Sequence, residues 1–170
     1  ASFSADMFIG AIANDSTVVG PDPVQAAYSY QIDLNSSFTG EDSFDVSIIA
    51  GNASALALAE FDGNATSDAL QIDGISYAFP LGNKTTVMVG DNIDGSELFT
   101  TACSYGGPSD TLSSCGNVNA AIENGGAMAG ASYDFGTGFT AAVGYAGPES
   151  SIMTKESLDA YGINGAYTGD

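Results

Sequence analysis

The sequence predicts an all-β protein, an antiparallel meander of about eight strands forming a single domain over residues 1–170. Three observations carry this prediction. Apolar and polar residues alternate with a period of two along most of the chain, the mark of strands with one greasy and one wet face. The alternating runs are separated by segments rich in Gly, Ser, Asn and Asp, and glycine alone supplies 22 of the 170 residues. Essentially nothing reads as helix, and no run approaches the roughly 18 apolar residues of a membrane helix.

The clearest pattern lies in residues 24–50. Val24, Ala26, Tyr28, Tyr30, Ile32 and Leu34 occupy even positions, with Gln25, Ala27, Ser29, Gln31 and Asp33 between them. The even phase resumes at Phe44, Val46, Ile48 and Ala50, interleaved with Ser43, Asp45 and Ser47. Residues 36–42 between the two runs have turn chemistry centred on Gly40, so the pair reads as an antiparallel hairpin.

The other elements follow in order. Residues 3–12 make a weaker strand that ends in a loop holding Pro21 and Pro23. Residues 51–67 stay open: 53–60 suit a short helix by propensity, whereas the alternation of Leu56 and Leu58 suits a strand. In residues 69–79 the apolar phase switches from even (Leu70, Ile72) to odd (Ile75, Tyr77, Phe79), which suggests a β-bulge at Asp73-Gly74. The turn 80–83 and the run Thr85, Val87, Val89 complete a second hairpin. Ala127 to Phe135 and Phe139 to Tyr145 form a third around Gly136-Thr137-Gly138. Residues 148–156 are a loop, and Tyr161, Ile163 and Tyr167 mark a last strand. Residues 91–126 form the longest irregular segment, of a length that in a compact protein usually serves function.

Charge narrows the partners. The chain has 21 acids against two bases, Lys84 and Lys155, for a net charge of −19, and it lacks histidine and tryptophan. Nucleic acid is excluded as a partner, because phosphate neutralisation needs Lys and Arg. Anionic membrane surfaces are disfavoured for the same reason. A chain this acidic attracts cations and repels itself until salt screens it. With 44% hydrophobic residues in clear periodicity, it can nonetheless bury apolar surface. The start, Ala1-Ser2-Phe3-Ser4, has neither a basic nor an apolar leader region, so either the protein is not exported or its signal has been removed.

Catalysis is not expected. Without histidine, Ser and Cys nucleophiles lack their usual base. No phosphate-cradling motif occurs, and no carboxylate pair stands out by spacing as a glycosidase pair. Cys103 and Cys115 lie in one polar loop without further zinc ligands. They read as a loop disulfide in preference to free thiols, which favours a periplasm or cell surface. No cofactor is expected beyond one cation pattern. Asp91, Asp94 and Glu97 surround the Gly95 turn as candidate calcium ligands. Ile93 sits where an EF-hand would place an oxygen, and the plainer reading is a solvated acidic turn. Five Asn-x-Ser/Thr triplets, at Asn14, Asn35, Asn52, Asn64 and Asn83, would be glycan acceptors only in a eukaryotic or archaeal exported protein.

Amphipathic strands suit a soluble sandwich or a transmembrane barrel. Two features lean to the barrel. The strand at 24–34 has the roughly 9–11 residues that cross a bilayer at a tilt. The connections also alternate between short (80–83, 136–138) and long (91–126), like the two rims of a membrane barrel. The aromatic residues are spread along the strands, as packing or as an interfacial belt.

The stretch Leu34-Asn35-Ser36-Ser37-Phe38-Thr39-Gly40-Glu41-Asp42, followed by Ala50-Gly51-Asn52, resembles a signature of the OprB-like family of cyanobacterial outer-membrane porins, the iron uptake porins. Ile75-Ser76-Tyr77-Ala78-Phe79-Pro80-Leu81-Gly82 with Val87-Met88-Val89-Gly90 is similar to a hairpin of the same family, and residues 155–164 share its flavour. The resemblance covers about residues 24–170. It implies part or all of an outer-membrane-type β-barrel that passes small solutes or ions by diffusion through a polar, acidic lumen. Gln31, Asp33 and Asp45 would face that lumen, and the Cys103–Cys115 loop would fold inward or cap the mouth. The family's surface-layer-homology region and coiled coil have no counterpart here. Its barrels have about twice as many strands, so the chain is expected to be a fragment or a shortened relative. Outer-membrane lipid, and either copies of the chain or the remainder of the barrel, are the implied partners. The rival expectation is a β-sandwich: a secreted, acidic structural protein at the cell surface that assembles with copies of itself, with divalent ions as a stabiliser.

Overall fold

The computed structural model describes residues 1–10, 24–53, 63–100, 122, 126–155 and 157–169. Eight strands run in chain order: β1 (Ser2–Gly10), β2 (Gln25–Ser36), β3 (Ser43–Gly51), β4 (Gln71–Pro80), β5 (Thr85–Asp91), β6 (Ala127–Asp134), β7 (Phe139–Gly147) and β8 (Ala160–Tyr167). They form one sheet in the order β1-β2-β3-β4-β5-β6-β7-β8. The expected all-β antiparallel meander is thus the observed fold. Among the described residues the order is open, with β1 and β8 at its two ends.

The period-two runs become strands because alternate side chains leave a pleated strand on opposite faces. Ladder pairing then keeps like with like. Phe3 faces Ile32 and Met7 faces Tyr28, whereas Ser2 faces Asp33 and Ser4 faces Gln31. The 12 residues of β2 reach about 40 Å at roughly 3.4 Å per residue. At a tilt near 45° that projects to about 28 Å, as much as the roughly 25 Å apolar band of a membrane barrel requires.

The tight connections are 37–42, 81–84 and 135–138; the wide ones include 92–126 and 148–159. Gly40 and Gly82 carry φ of 88° and 75°, a left-handed backbone that L side chains adopt at a cost. A Cβ at either would meet no atom within 4 Å, so backbone conformation alone selects glycine there. Loop residues 54–62, where helix and strand were both open, and the proline-bearing loop 11–23 lie outside the described residues.

The chain divides into two compact units. Of the described residues, the first holds 1–10, 24–33, 47–53 and 63–72. Its core gathers Ala27, Ala53 and Phe8. Residues 63–66 lie across β2 there, with the Asn64 N–H donating to Ser29 Oγ at 3.1 Å and Asn64 Nδ2 to the Tyr30 carbonyl at 3.2 Å. The second holds 34–46, 73–100, 122, 126–155 and 157–169. It contains β4 from Asp73 onward, β5 to β8, and the functional candidate below.

Candidate functional site: a two-faced wall and the segment packed on it

Register assigns every side chain of β4 to β8 to one of two faces. Phe79, Val87, Ala131, Val143 and Ile163 stand in one cross-strand row. The next row on the same face is Tyr77, Val89, Ala129, Tyr145 and Tyr161. Tyr133 and the Phe139–Tyr167 pair continue that face toward the tight turns. The opposite face carries Ser76, Met88, Gly130, Ser132, Ala142, Gly144, Gly162 and Asn164.

Burial runs opposite to that of a water-soluble sandwich. The large apolar residues of this face are mostly open: Val143 is 52% and Ile163 87% exposed, and Phe139, Tyr161 and Tyr167 are exposed with them, whereas Tyr145 is buried. The small-residue face is covered, with Ala142 at 4%, Ala146 at 2% and Met128 at 3%. In the first unit, Phe3, Met7 and Ile9 are likewise exposed on the apolar side of β1, while Ala27 and Ser29 on the other side of β2 are buried. Tyr28, Tyr30 and Ile32 are half-buried and Leu34 is exposed.

What covers the small-residue face in the second unit is the start of the long connection. Glycines align across three strands, Gly130 with Gly144 with Gly162, and leave a furrow without side chains. Gly95 lies in it: a methyl on Gly144 would collide with the Gly95 carbonyl oxygen, and a methyl on Gly95 would stand 2.8 Å from the Tyr145 carbonyl. Leu98 packs by Gly130, and Phe99 and Ile122 by Gly162. Thr100 closes the segment. Its N–H donates to Asn164 Oδ1 and its carbonyl accepts from Asn164 Nδ2, both at 3.2 Å, while its hydroxyl meets Thr140 Oγ1 at 3.0 Å.

Asp94 holds the other end. Its Oδ1 accepts from the Ser96 N–H (2.8 Å), the Ser96 hydroxyl (2.7 Å) and the Ile122 N–H (2.9 Å). Among the described residues no group of three His, Cys, Asp or Glu side chains converges to hold a metal ion. Asp91 belongs to β5, Asp94 pins the loop, and Glu97 is exposed. Cys103 and Cys115 lie outside the described residues.

The expected lumen residues sit in small polar networks. Gln31 Nε2 donates to Asp33 Oδ1 at 2.7 Å, and the Ser2 hydroxyl lies 3.4 Å from Asp33 Oδ2. Asp45 accepts from Asn35 Nδ2 at 2.6 Å and from the Ser43 hydroxyl at 2.5 Å. Gln31 and Asp33 share the face of β2 that bears buried Ser29. All three candidates thus stand among polar neighbours. The amides of Asn35 and Asn64 are engaged in the same kind of bonds.

Asp42 is a residue that pattern reading passed over. It is buried at the tight turn 37–42. Its carboxylate accepts from the Ser37 hydroxyl (2.5 Å), the Thr39 N–H (2.8 Å), the Thr39 hydroxyl (2.7 Å) and the Phe38 N–H. The Ser37 hydroxyl first, then the Thr39 donors and the Tyr77 phenol, hold this acid far below the usual carboxylate range against the opposing effect of burial. Phe38 caps the turn, 5.8 Å from the Phe44 ring and 5.9 Å from Tyr77. Tyr133–Phe135 (4.8 Å) and Phe139–Tyr167 (4.6 Å) add ring pairs at the tight-turn rim. At the wide-loop rim, Tyr145 packs 5.2 Å from Tyr161 and donates to Asp159 at 2.8 Å. Asp159 also takes the Ser157 hydroxyl, whose bond, ahead of that from Tyr145, lowers its pKa.

The only sequence clue to the furrow is glycine recurring on the face opposite the large apolar residues. The Asp42 hub has no comparable clue, because its donors lie within one turn whose geometry composition does not specify. The search for similar proteins adds nothing to this geometry: no protein-family model, curated protein or solved structure matches the chain.

Proposed function

We propose that the chain supplies the wall of an outer-membrane β-barrel porin, through which small solutes or ions diffuse along a polar, acidic lumen. The observation that carries this reading is the inverted burial of β7 and β8. Phe139, Val143, Tyr161, Ile163 and Tyr167 are exposed on one face, with Tyr145 buried at its wide-loop end, and they back a covered face of Gly, Ala, Thr and Asn. A water-soluble monomer seldom leaves so large an apolar face open, whereas a lipid-facing strand requires one. Between its ridges the face has shallow apolar grooves, one of 340 Å³ lined by Ala129, Val143, Tyr145, Tyr161 and Ile163, of a size that acyl chains fill. Ring pairs flank the aliphatic row on both sides, as in the aromatic girdles of membrane barrels. The resemblance of residues 34–42 and 75–90 to the cyanobacterial iron uptake porins points the same way.

Both lysines lie outside the strands, Lys84 in a tight turn and Lys155 in a wide loop. The lumen face is therefore acidic, and cations pass in preference to anions. The open ends of the sheet favour a second reading, an acidic surface protein whose copies join edge to edge. Extraction and reconstitution separate the two. A porin needs detergent to leave the membrane and gives channels in a planar bilayer whose reversal potential in asymmetric KCl is that of a cation pathway. A detergent-free filament that chelators dissolve, with no channels, would sink the porin in favour of the second reading.

A further inference from the structure

We infer, resting on the porin reading of this wall, that the aromatic cavity beside Lys84 is a seat for one zwitterionic glycerophospholipid. Its phosphate sits on the Lys84 ammonium, and an acyl chain lies in the cavity and the groove beyond it.

The cavity opens at the tight-turn rim of β6, β7 and β8. It measures 480 Å³, and Phe135, Thr137, Phe139, Gly165 and Tyr167 are among its walls. That volume lies within the roughly 300–1,000 Å³ of small-molecule sites, which combine an apolar lining with a few polar groups. Register explains the hollow. On the large-residue face, the Phe139–Tyr167 and Val143–Ile163 pairs are ridges, and the pair between them is Ala141 with Gly165. A Cβ at Gly165 would meet nothing within 4 Å, so the missing side chain leaves open space between the ridges. A groove of 270 Å³ continues the hollow along Tyr133, Ala141, Val143 and Ile163. Cavity and groove make one apolar track that starts at the rim.

The rim end carries the charge. Lys84 is one of two bases in a chain of net charge −19. Its Nζ donates to the carbonyl of Phe135, a wall residue of the cavity, at 3.2 Å. It also lies 3.7 Å from where a Gly136 Cβ would stand. A lysine ammonium has three donors, so one anchors it over the turn and two remain for a ligand's oxygens. A lysine that merely snorkels serves every headgroup alike. This one stands at the mouth of a cavity shaped for hydrocarbon, and a phosphate joined to an acyl chain satisfies both. Asp134 fits the rest of the headgroup. Its carboxylate takes the Gly136 N–H at 2.7 Å, so an anion and a cation flank Gly136. A lipid of net negative charge meets the repulsion of the whole chain. One whose phosphate is followed by an ammonium does not, and that ammonium has Asp134 as its counter-ion.

The test titrates dioleoylphosphatidylcholine into the purified, delipidated chain in detergent and counts bound lipid by native mass spectrometry. One lipid binds ahead of the rest. Lys84→Gln, and Gly165→Leu, which fills the hollow, each weaken that first binding by about tenfold. Lys155→Gln, at the other base, leaves it unchanged. Dioleoylglycerol, with the same chains and no phosphate, binds the wild type about tenfold more weakly than the phospholipid does, and binds Lys84→Gln as it binds the wild type. If Gly165→Leu fails to fold, Lys84→Gln, a change in an exposed turn side chain, carries the test.

Equal phospholipid binding by wild type and Lys84→Gln means lipid of the general annulus and overturns the site. Displacement of the first lipid by inorganic phosphate assigns Lys84 to a free anion and overturns it too. A dimer that Gly165→Leu dissociates gives the cavity to a second copy of the chain, with the same result. Planar-bilayer conductance separates the site from the reading it rests on. A chain that forms channels without the selective lipid loses the site and keeps the porin. A chain that forms no channels but binds the lipid through Lys84 loses the porin and keeps the site.

Discussion

Ile163→Arg discriminates sharply between a lipid-facing wall and a wet surface. Ile163 is 87% exposed, near the middle of β8. Its neighbour in the row is Val143, with Ala131 and Val87 beyond. Along β8 it lies two residues from Tyr161 and four from Tyr167, or about 7 Å and 14 Å at roughly 3.4 Å per residue. It therefore stands between the two aromatic levels. On a water-exposed sheet a substitution at so open a position changes stability by no more than about 0.5 kcal/mol. At the mid-depth of a bilayer, arginine on the lipid face of a barrel costs about 2–4 kcal/mol. At 1.4 kcal/mol per factor of ten, that is a shift of about 30-fold to several hundredfold in the folding equilibrium. The assay is urea titration of the chain folded into phosphatidylcholine vesicles. Thr137→Arg, in the tight turn between β6 and β7, serves as the control, with an expected cost of about 0–1 kcal/mol near the interface. An Ile163→Arg chain as stable as the wild type in vesicles, to within that half kilocalorie, would refute the assignment of this face to lipid.

Two further outcomes follow from the tight turns. The Asp42 pKa is depressed in the folded chain, so its stabilising effect is complete above the unfolded value of about 3.9 and is lost as pH falls from there through the folded value. Asp42→Asn should therefore flatten the stability profile below about pH 4, where the wild type declines, as read by denaturant midpoints across acid pH. Gly82→Ala keeps every contact but forces a methyl into the left-handed region, at a cost of about 1–2 kcal/mol in the same titration. A cost near zero would mean that the turn relaxes to another type.

Strand placement was legible because one-faced strands demand a period of two. Val24 to Leu34 and Phe139 to Tyr145 each lie almost wholly within an observed strand. The two classes of connection were legible from Gly40, Gly82 and Gly136 beside the long polar run after Asp91. The sign of burial was not, since Tyr161 and Ile163 read the same whether they face a second sheet or lipid. Asp94 looked like a cation ligand because its type and spacing suit one. What its type and spacing do not show is that its Oδ1 also accepts from the Ile122 N–H, 28 residues away. The glycine furrow escaped notice for a similar reason. Glycine in a strand sequence is a gap, and only ladder register shows that three gaps align.

The way this chain satisfies its carboxylates has a consequence for the medium in which it works. Asp42 is held by serine, threonine and tyrosine hydroxyls and by backbone N–H groups, Asp94 by a serine and an amide, and Asp159 by Ser157 and Tyr145. Lys84, for its part, donates a hydrogen bond to the Phe135 carbonyl. The donors to these carboxylates carry no net charge, so dissolved electrolyte does not compete for them as it competes for ion pairs. What electrolyte does reach is the mutual repulsion of a chain at −19. Brine relaxes that repulsion and leaves these fastenings intact, so the molecule is built to tighten in salt water, not to loosen.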